Sequence, residues 1–232
     1  MCTIGCVNLD NIYLFKNRDP IRGTPPREWV EKYSYEAIEM LVIRNDKGCY
    51  GGLNQYHVGI VGTFVNIAKE QVNYFDGDNL IYVLQQGNIQ NIYNYLLSNP
   101  LNLFGNILCS DGTLTYSFEL NGSEVDCLQI KESYVMTNHF QRINKQILTI
   151  DDFFIKRWTY ARLERGKFLI SSISSFEDIK QMLSDHYEYP DYSICNHGKI
   201  PTASSYIIDC SHKKIYYCRG CPCENIYIEY NL

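Results

Sequence analysis

"MCTIGCVNLDNIYLFKNRDP", residues 1–20, sets a cysteine directly behind the initiator methionine and an Asn17-Arg18-Asp19 triplet one β-hairpin downstream. Cys2–Val7 and Ile12–Lys16 read as two short strands around the turn signal Asn8-Leu9-Asp10-Asn11, and Pro20 stops further pairing. A small residue at position 2 lets an aminopeptidase remove Met1. The mature chain would then start with Cys2, a thiol and a free α-amine on one residue. With a thiol pKa near ~8.5 and an amine near ~8, the amine is substantially neutral around neutral pH and can accept the thiol proton, directly or through a water. Thiolate attack on an amide or thioester carbonyl would give an acyl-enzyme, which water or an amine resolves. Arg18 would favour the thiolate, and Asp19 would orient the α-ammonium. Successive strand residues face opposite sides, so both can reach the site only where the strand ends or twists, which Pro20 allows.

The bulk composition limits the alternatives. In 232 residues, 45 % are hydrophobic and 20 % charged, which fits one domain, 1–232, with a full core. The net charge is −5 and the longest basic run is Lys213-Lys214, so no nucleic-acid partner is expected. The chain has neither an apolar run of membrane-spanning length nor a secretory signal at its start, so no membrane partner is expected and a cytoplasmic address is the default. The ten cysteines are then read as reduced thiols rather than a disulfide framework.

Further along, strands are predicted at Met40–Arg44, Cys49–Asn54 and His57–Val65, after an unassigned stretch up to Glu39. A helix follows over Leu80–Leu97 with Asp78 as N-cap. Strands resume at Asn106–Ser110, Leu114–Leu120, Cys127–Ile130 and Tyr134–Thr137. Two helices come next, Asp151–Leu169 and one starting in a Ser174-x-x-Glu177 capping box and ending near His186. Ser204–Cys210, Lys214–Cys218 and Ile226–Tyr230 close the chain as strands. Strands and helices come in separate blocks, which implies an α+β fold of antiparallel sheets and helical layers, with the first strand central.

The opening Cys2-Thr3, followed by a strand ending in Asn17-Arg18-Asp19, resembles the N-terminal nucleophile hydrolases of the choloylglycine hydrolase and penicillin V acylase type, and equally the isopenicillin N acyltransferase-like family. The family named for its Asn-Arg-Asp-Glu motif shares the opening, but here the fourth position is Pro20. Gly52-Leu53-Asn54-Gln55 with Gly59 resembles the superfamily's second hairpin. Val135-Met136-Thr137-Asn138-His139-Phe140 resembles the acyltransferase-like Thr-Asn-His-Phe strand end. Ala161-Arg162-Leu163-Glu164-Arg165 resembles its arginine-bearing helix. Ile194–His197, Thr202–Ser205 and Arg219–Cys223 resemble its C-terminal strands.

The resemblance implies a four-layer αββα sandwich of two antiparallel sheets flanked by helices, and an enzyme cleaving or transferring an acyl group on Cys2 without a cofactor or metal. Its substrate would be a small-molecule or peptide amide, or a thioester donor, with an amine as the alternative acceptor. Asn138 would contact the nucleophile's amine or the oxyanion, and Arg162 would orient Asp19 or the substrate. The oxyanion asparagine of the bile-salt hydrolase pattern falls on Phe64. Asn66, two residues later and on the same strand face, would take its place. Only Met1 precedes Cys2, so no self-cleaved propeptide is needed. A homo-oligomer stays open.

Two other readings belong beside this one. Cys218-x-x-Cys221-x-Cys223 with Cys195 and His197 has enough ligands for a zinc-stabilised, non-catalytic binding domain. However, Cys218 falls within a strand, and the Gly-x-Pro-Cys pattern recurs in the acyltransferase-like family without metal, so ordinary buried thiols are preferred. His139 or His197 would be the base of a Cys/His hydrolase. Cys6, on the same strand face as Cys2, is read as a buried thiol rather than a redox partner.

Overall fold

The computed structural model describes residues 2–20, 27–65, 78–99, 104–122, 124–143 and 153–232, with the backbone alone at 153–155. The opening hairpin forms as read. β1 (Cys2–Asn8) pairs antiparallel with β2 (Ile12–Arg18), with Cys2 opposite Arg18 and Ile4 opposite Lys16. Alternation then decides the two faces. Cys2, Ile4, Cys6 and Leu14 point into one apolar cluster, whereas Val7 and Phe15 point into another.

The next six strands are β3 (Trp29–Tyr35), β4 (Ile38–Asn45), β5 (Gly48–Asn54), β6 (Gly59–Phe64), β7 (Phe104–Ser110) and β8 (Thr115–Asn121). With β9 (Glu124–Ile130) they form a seven-stranded meander in chain order. β3 lies in the stretch left unassigned from sequence. It is an edge strand with a mostly exposed or half-buried pattern, so the clean apolar alternation of a core strand is missing.

The helix expected over Leu80–Leu97 is two helices, α1 (Asn79–Leu84) and α2 (Ile89–Ser98). Gly87, at φ +82°, breaks the run, and Asn88 starts the second helix by accepting the Asn91 N–H on its side chain. Asp78 does stand at the N-cap of α1, but its carboxylate faces Arg44 and makes no capping bond.

β10 (Tyr134–Met136) returns to the first sheet as its edge, beside β1. α3 (Phe153–Ile170) and α4 (Phe176–Leu183) follow. The N-cap of α4 is Ser175, which accepts the Asp178 N–H; Ser174 bonds the Asp178 carboxylate instead, and Glu177 pairs with Lys180 rather than closing a capping box. β11 (Ser204–Asp209), β12 (Lys214–Arg219) and β13 (Ile228–Asn231) complete the six-stranded sheet, in the order β10-β1-β2-β11-β12-β13. β1 is thus one strand in from an edge and not central. β10 covers only Ile4–Cys6 and leaves Cys2 beyond its end.

Three apolar clusters define the layers. Val42, Ile60, Leu84, Ile92 and Phe118 pack α1 and α2 onto the outer face of the seven-stranded sheet. Ile4, Leu14, Leu41, Leu53, Val61, Leu108 and Ile208 fill the space between the sheets. Phe15, Val135, Leu163, Ile179 and Ile207 pack α3 and α4 onto the six-stranded sheet. The architecture is an αββα sandwich. Each of the large aliphatic side chains buried there contributes about 1.5–3 kcal/mol of transfer free energy. α3 lies close against β10: a Cβ on Gly166 would stand 2.8 Å from Val135 Cγ1. That approach fixes the height of Arg162, one turn earlier.

Candidate active site

The two faces of the hairpin give the site its two halves. Cys2, Lys16 and Arg18 lie on the face between the sheets, with only 4 % of Cys2 exposed. Arg18 is engaged by Glu28 in a buried ion pair and lies over the Tyr50 ring, 4.0 Å from its centroid. Glu28 is held in turn by the Ser204 hydroxyl at 2.5 Å. Lys16 Nζ donates to the Tyr50 carbonyl at 3.1 Å, and Tyr206 Oη donates to the same oxygen at 2.6 Å.

Burial alone would raise the Cys2 thiol, but Lys16 is the foremost of the charges that bring it below the ordinary thiol value; Arg18 helps and Asp19 opposes. Burial lowers the Lys16 ammonium from its usual value, and the Cys2 charge works against that drop. Because Glu28 offsets Arg18, Lys16 is the main electrostatic partner of the thiol. Sequence reading passed over Lys16, although the period of two that links it to Arg18 and Cys2 was the available signal.

The other face holds the orienting groups. Past Met136 the chain leaves β10, so Asn138 arrives beside the exposed end of β1, and its Oδ1 accepts the Cys2 backbone N–H at 2.8 Å. The same oxygen accepts Arg162 Nη2 at 3.0 Å. Asn138 Nδ2 donates to Thr63 Oγ1 at 2.6 Å and to the Phe64 carbonyl at 2.7 Å. Asn138 thus contacts the Cys2 nitrogen through its carbonyl oxygen, and its N–H groups are directed at β6. Asn66 lies outside the described residues.

Arg162, fully buried on α3, spans this half. Nη1 donates to Thr3 Oγ1 at 3.1 Å and to Asp19 Oδ2 at 3.3 Å, and Nε to the Trp158 carbonyl at 3.3 Å. Asp19 also accepts from Thr202 Oγ1 at 2.8 Å. Burial pushes the Asp19 carboxyl up, against the Arg162 charge and the Thr202 hydrogen bond. Arg18 and Asp19 therefore serve opposite faces, as alternation dictates, and Asp19 connects to the Cys2 nitrogen through Arg162 and Asn138.

The rival bases lie elsewhere. His139 Nδ1 contacts the hydroxyls of Thr137 and Thr159, its ring stacks on Tyr160, and burial lowers its pKa to about 4. His197 sits against Cys195 and Cys223. Among the described residues, neither histidine hydrogen-bonds Cys2. Cys6 shares the inter-sheet cluster with Cys2, and burial raises its thiol to about 12, as suits a core residue.

No family profile and no curated protein matches the sequence. Solved structures do match. Penicillin V acylase from Agrobacterium tumefaciens superposes with a TM-score of 0.62 at 12% identity, over 94% of this chain and 83% of that one. The mutant C2A of conjugated bile acid hydrolase from Clostridium perfringens superposes with a TM-score of 0.52 at 14% identity, over 100% of this chain and 97% of that one. Its variant R18L gives 0.52 at 13%, with the same coverage. The fold is that of the N-terminal nucleophile hydrolases of the choloylglycine hydrolase and penicillin V acylase type. Among the described residues, no helix is long and apolar enough to cross a membrane.

Proposed function

We propose that the protein is an amide hydrolase or acyltransferase that works through a thioester on Cys2, after Met1 is removed. Its substrate would be a linear amide of a small molecule or peptide, with a thioester as the alternative donor. The observation that carries this reading is the Cys2 nitrogen held on Asn138 Oδ1 beside a thiol lowered by Lys16. The fold neighbours, named as an acylase and a bile acid hydrolase, support amide chemistry.

In the first half-reaction the Cys2 α-amine takes the thiol proton and the sulfur attacks the carbonyl carbon. The tetrahedral oxyanion collapses, the C–N bond breaks, and the leaving nitrogen receives the proton from the α-ammonium. Water, or an amine in acyl transfer, then attacks the thioester as the α-amine removes its proton, and the thiol is restored. Asn138 and the Arg162–Asp19 pair keep the amine oriented throughout. Asn66 is the proposed side-chain donor to the oxyanion, a role worth ~3 kcal/mol in comparable sites. The setting would be cytoplasmic.

The test is a panel of N-acyl amides and acyl thioesters with mass detection of acylated Cys2. Turnover lost in Cys2→Ala with the fold intact is expected. Substantial turnover remaining in Cys2→Ala, or in protein that retains Met1, would overturn the mechanism.

A further inference from the structure

Outside the proposed Cys2 site, the segments flanking β11 and β12 bring two cysteines and two histidines to one point. His186 Nε2 lies 3.1 Å from His197 Nε2, and His197 Nε2 lies 3.5 Å from Cys195 Sγ and 3.2 Å from Cys223 Sγ. The two sulfurs are 3.5 Å apart, and all four atoms fall within 4.8 Å of one another. These separations have a physical signature. Tetrahedral zinc with Zn–N of about 2.0–2.1 Å and Zn–S of about 2.3 Å requires ligand atoms about 3.3–3.8 Å apart. Four groups that merely filled space would not need to converge through metal-ligating atoms, the two sulfurs and one ring nitrogen of each histidine. The other nitrogen of His197, Nδ1, faces Glu224 Oε1 at 3.6 Å, where an outer carboxylate can fix the ring's tautomer and orientation.

We propose that His186, Cys195, His197 and Cys223 bind a structural zinc ion. The site is independent of whether Cys2 is a nucleophile. Binding displaces two thiol protons, and two thiolates with two neutral imidazoles balance the charge of the dication. Two soft sulfur and two imidazole ligands suit zinc and leave no open position for a substrate, which makes the role structural. The ion would tie the His186–His197 segment to the turn after β12. That segment leads into the Asn196–Thr202 loop, closed by Thr202 N–H on the Asn196 carbonyl at 2.8 Å and Asn196 N–H on Thr202 Oγ1 at 2.9 Å. Thr202 then donates to Asp19, so the metal would hold the loop that carries one of the groups behind the Cys2 amine.

The ligand set differs from the one counted along the sequence. Cys218 lies on β12 and is not part of the cluster, while Cys221 donates to the Asn196 and Thr202 carbonyls at 3.6 Å. His186, distant in sequence from the cysteine run, takes the vacant place.

The experiment is metal analysis of the full chain purified without chelators under reducing conditions, followed by chelation and titration of the apoprotein with Co²⁺. About one zinc per chain, and a cobalt spectrum with tetrahedral d–d bands and thiolate charge transfer, are expected. His186→Ala and Cys223→Ser should each lose the metal, Cys218→Ala and Cys221→Ser should keep it, and Glu224→Gln should weaken binding about tenfold. Failure of the wild-type apoprotein to take up Zn²⁺ or Co²⁺ would overturn the proposal without recourse to variants. So would a Cys195–Cys223 disulfide in protein that binds no metal after reduction. Metal that survives His186→Ala but disappears in Cys221→Ser would overturn the ligand assignment.

Discussion

Asn138 Oδ1 accepts from both the Cys2 nitrogen, at 2.8 Å, and Arg162 Nη2, at 3.0 Å. One carbonyl oxygen therefore joins the proposed nucleophile to the buried Arg162–Asp19 pair. The amide is locked in that orientation, because its Nδ2 faces the acceptors Thr63 Oγ1 and the Phe64 carbonyl.

Asn138→Asp is thus a harsher change than its size suggests. It keeps an oxygen for Cys2 and Arg162 but turns a second oxygen onto the Phe64 carbonyl. We expect a stability loss of about 1–3 kcal/mol and a larger fall in kcat than in substrate affinity, read by denaturant titration and steady-state kinetics. Unchanged kinetics with reduced stability would remove Asn138 from the amine-orienting role and leave it a structural one.

Lys16→Met tests the electrostatics of the thiol. Removing the foremost charge that lowers Cys2 lets burial dominate, so the thiol pKa should rise. The sign follows directly: less thiolate at a given pH, and an alkylation-rate profile displaced to higher pH. A rise of one unit makes labelling by iodoacetamide about tenfold slower at mildly acidic pH. An unshifted profile would show that Arg18 or the amine sets the thiolate.

How much of this was readable beforehand depends on the range of the interactions. The β1–β2 hairpin and its strand faces follow local rules of alternation and strand termination, so residues 2–19 disclosed them. The contact between Cys2 and Asn138, 136 residues apart, was expected only from the family resemblance around Thr137–Phe140. β3 did not announce itself, since an edge strand has little apolar alternation. Gly87 and Asn88 marked the break between α1 and α2, but the apolar spacing on both sides ran on through it. Lys16 was hidden by its type: a lysine in a strand is usually solvated, and only the two-sheet packing shows it buried beside a thiol. His186 could not be found by counting along the chain, because the loop between α4 and β11 brings it to His197. Glu28 is likewise a product of tertiary packing, meeting Arg18 from ten residues further along the chain.

Arg162 and Asp19 are both fully buried and paired, so removing one partner strands the other. Arg162→Ala should cost about 3–5 kcal/mol by denaturant unfolding. Arg162→Lys retains charge but cannot reach Thr3, Asp19 and Asn138 together, so it should recover part of the stability with little of the activity. If Arg162→Lys were fully active, the forked geometry would have no part in orienting the amine.

His139 predicts the acid limb of stability. Burial, then the charges of Lys167 and Arg162, depress its folded pKa to about 4, whereas an unfolded histidine titrates near ~6.5. Between those values the unfolded chain binds a proton that the folded chain refuses, so the stability from a neutral His139 is present above ~6.5 and drains away as pH falls toward ~4. The full loss from this residue is about 3 kcal/mol. His139→Gln, which can still meet the Thr137 and Thr159 hydroxyls but cannot ionise, should flatten that slope. Urea unfolding of both proteins across the pH window measures it. Parallel slopes would mean that His139 takes up its proton in the folded state, which requires the Thr137–Thr159–Tyr160 pocket to open as the pH falls.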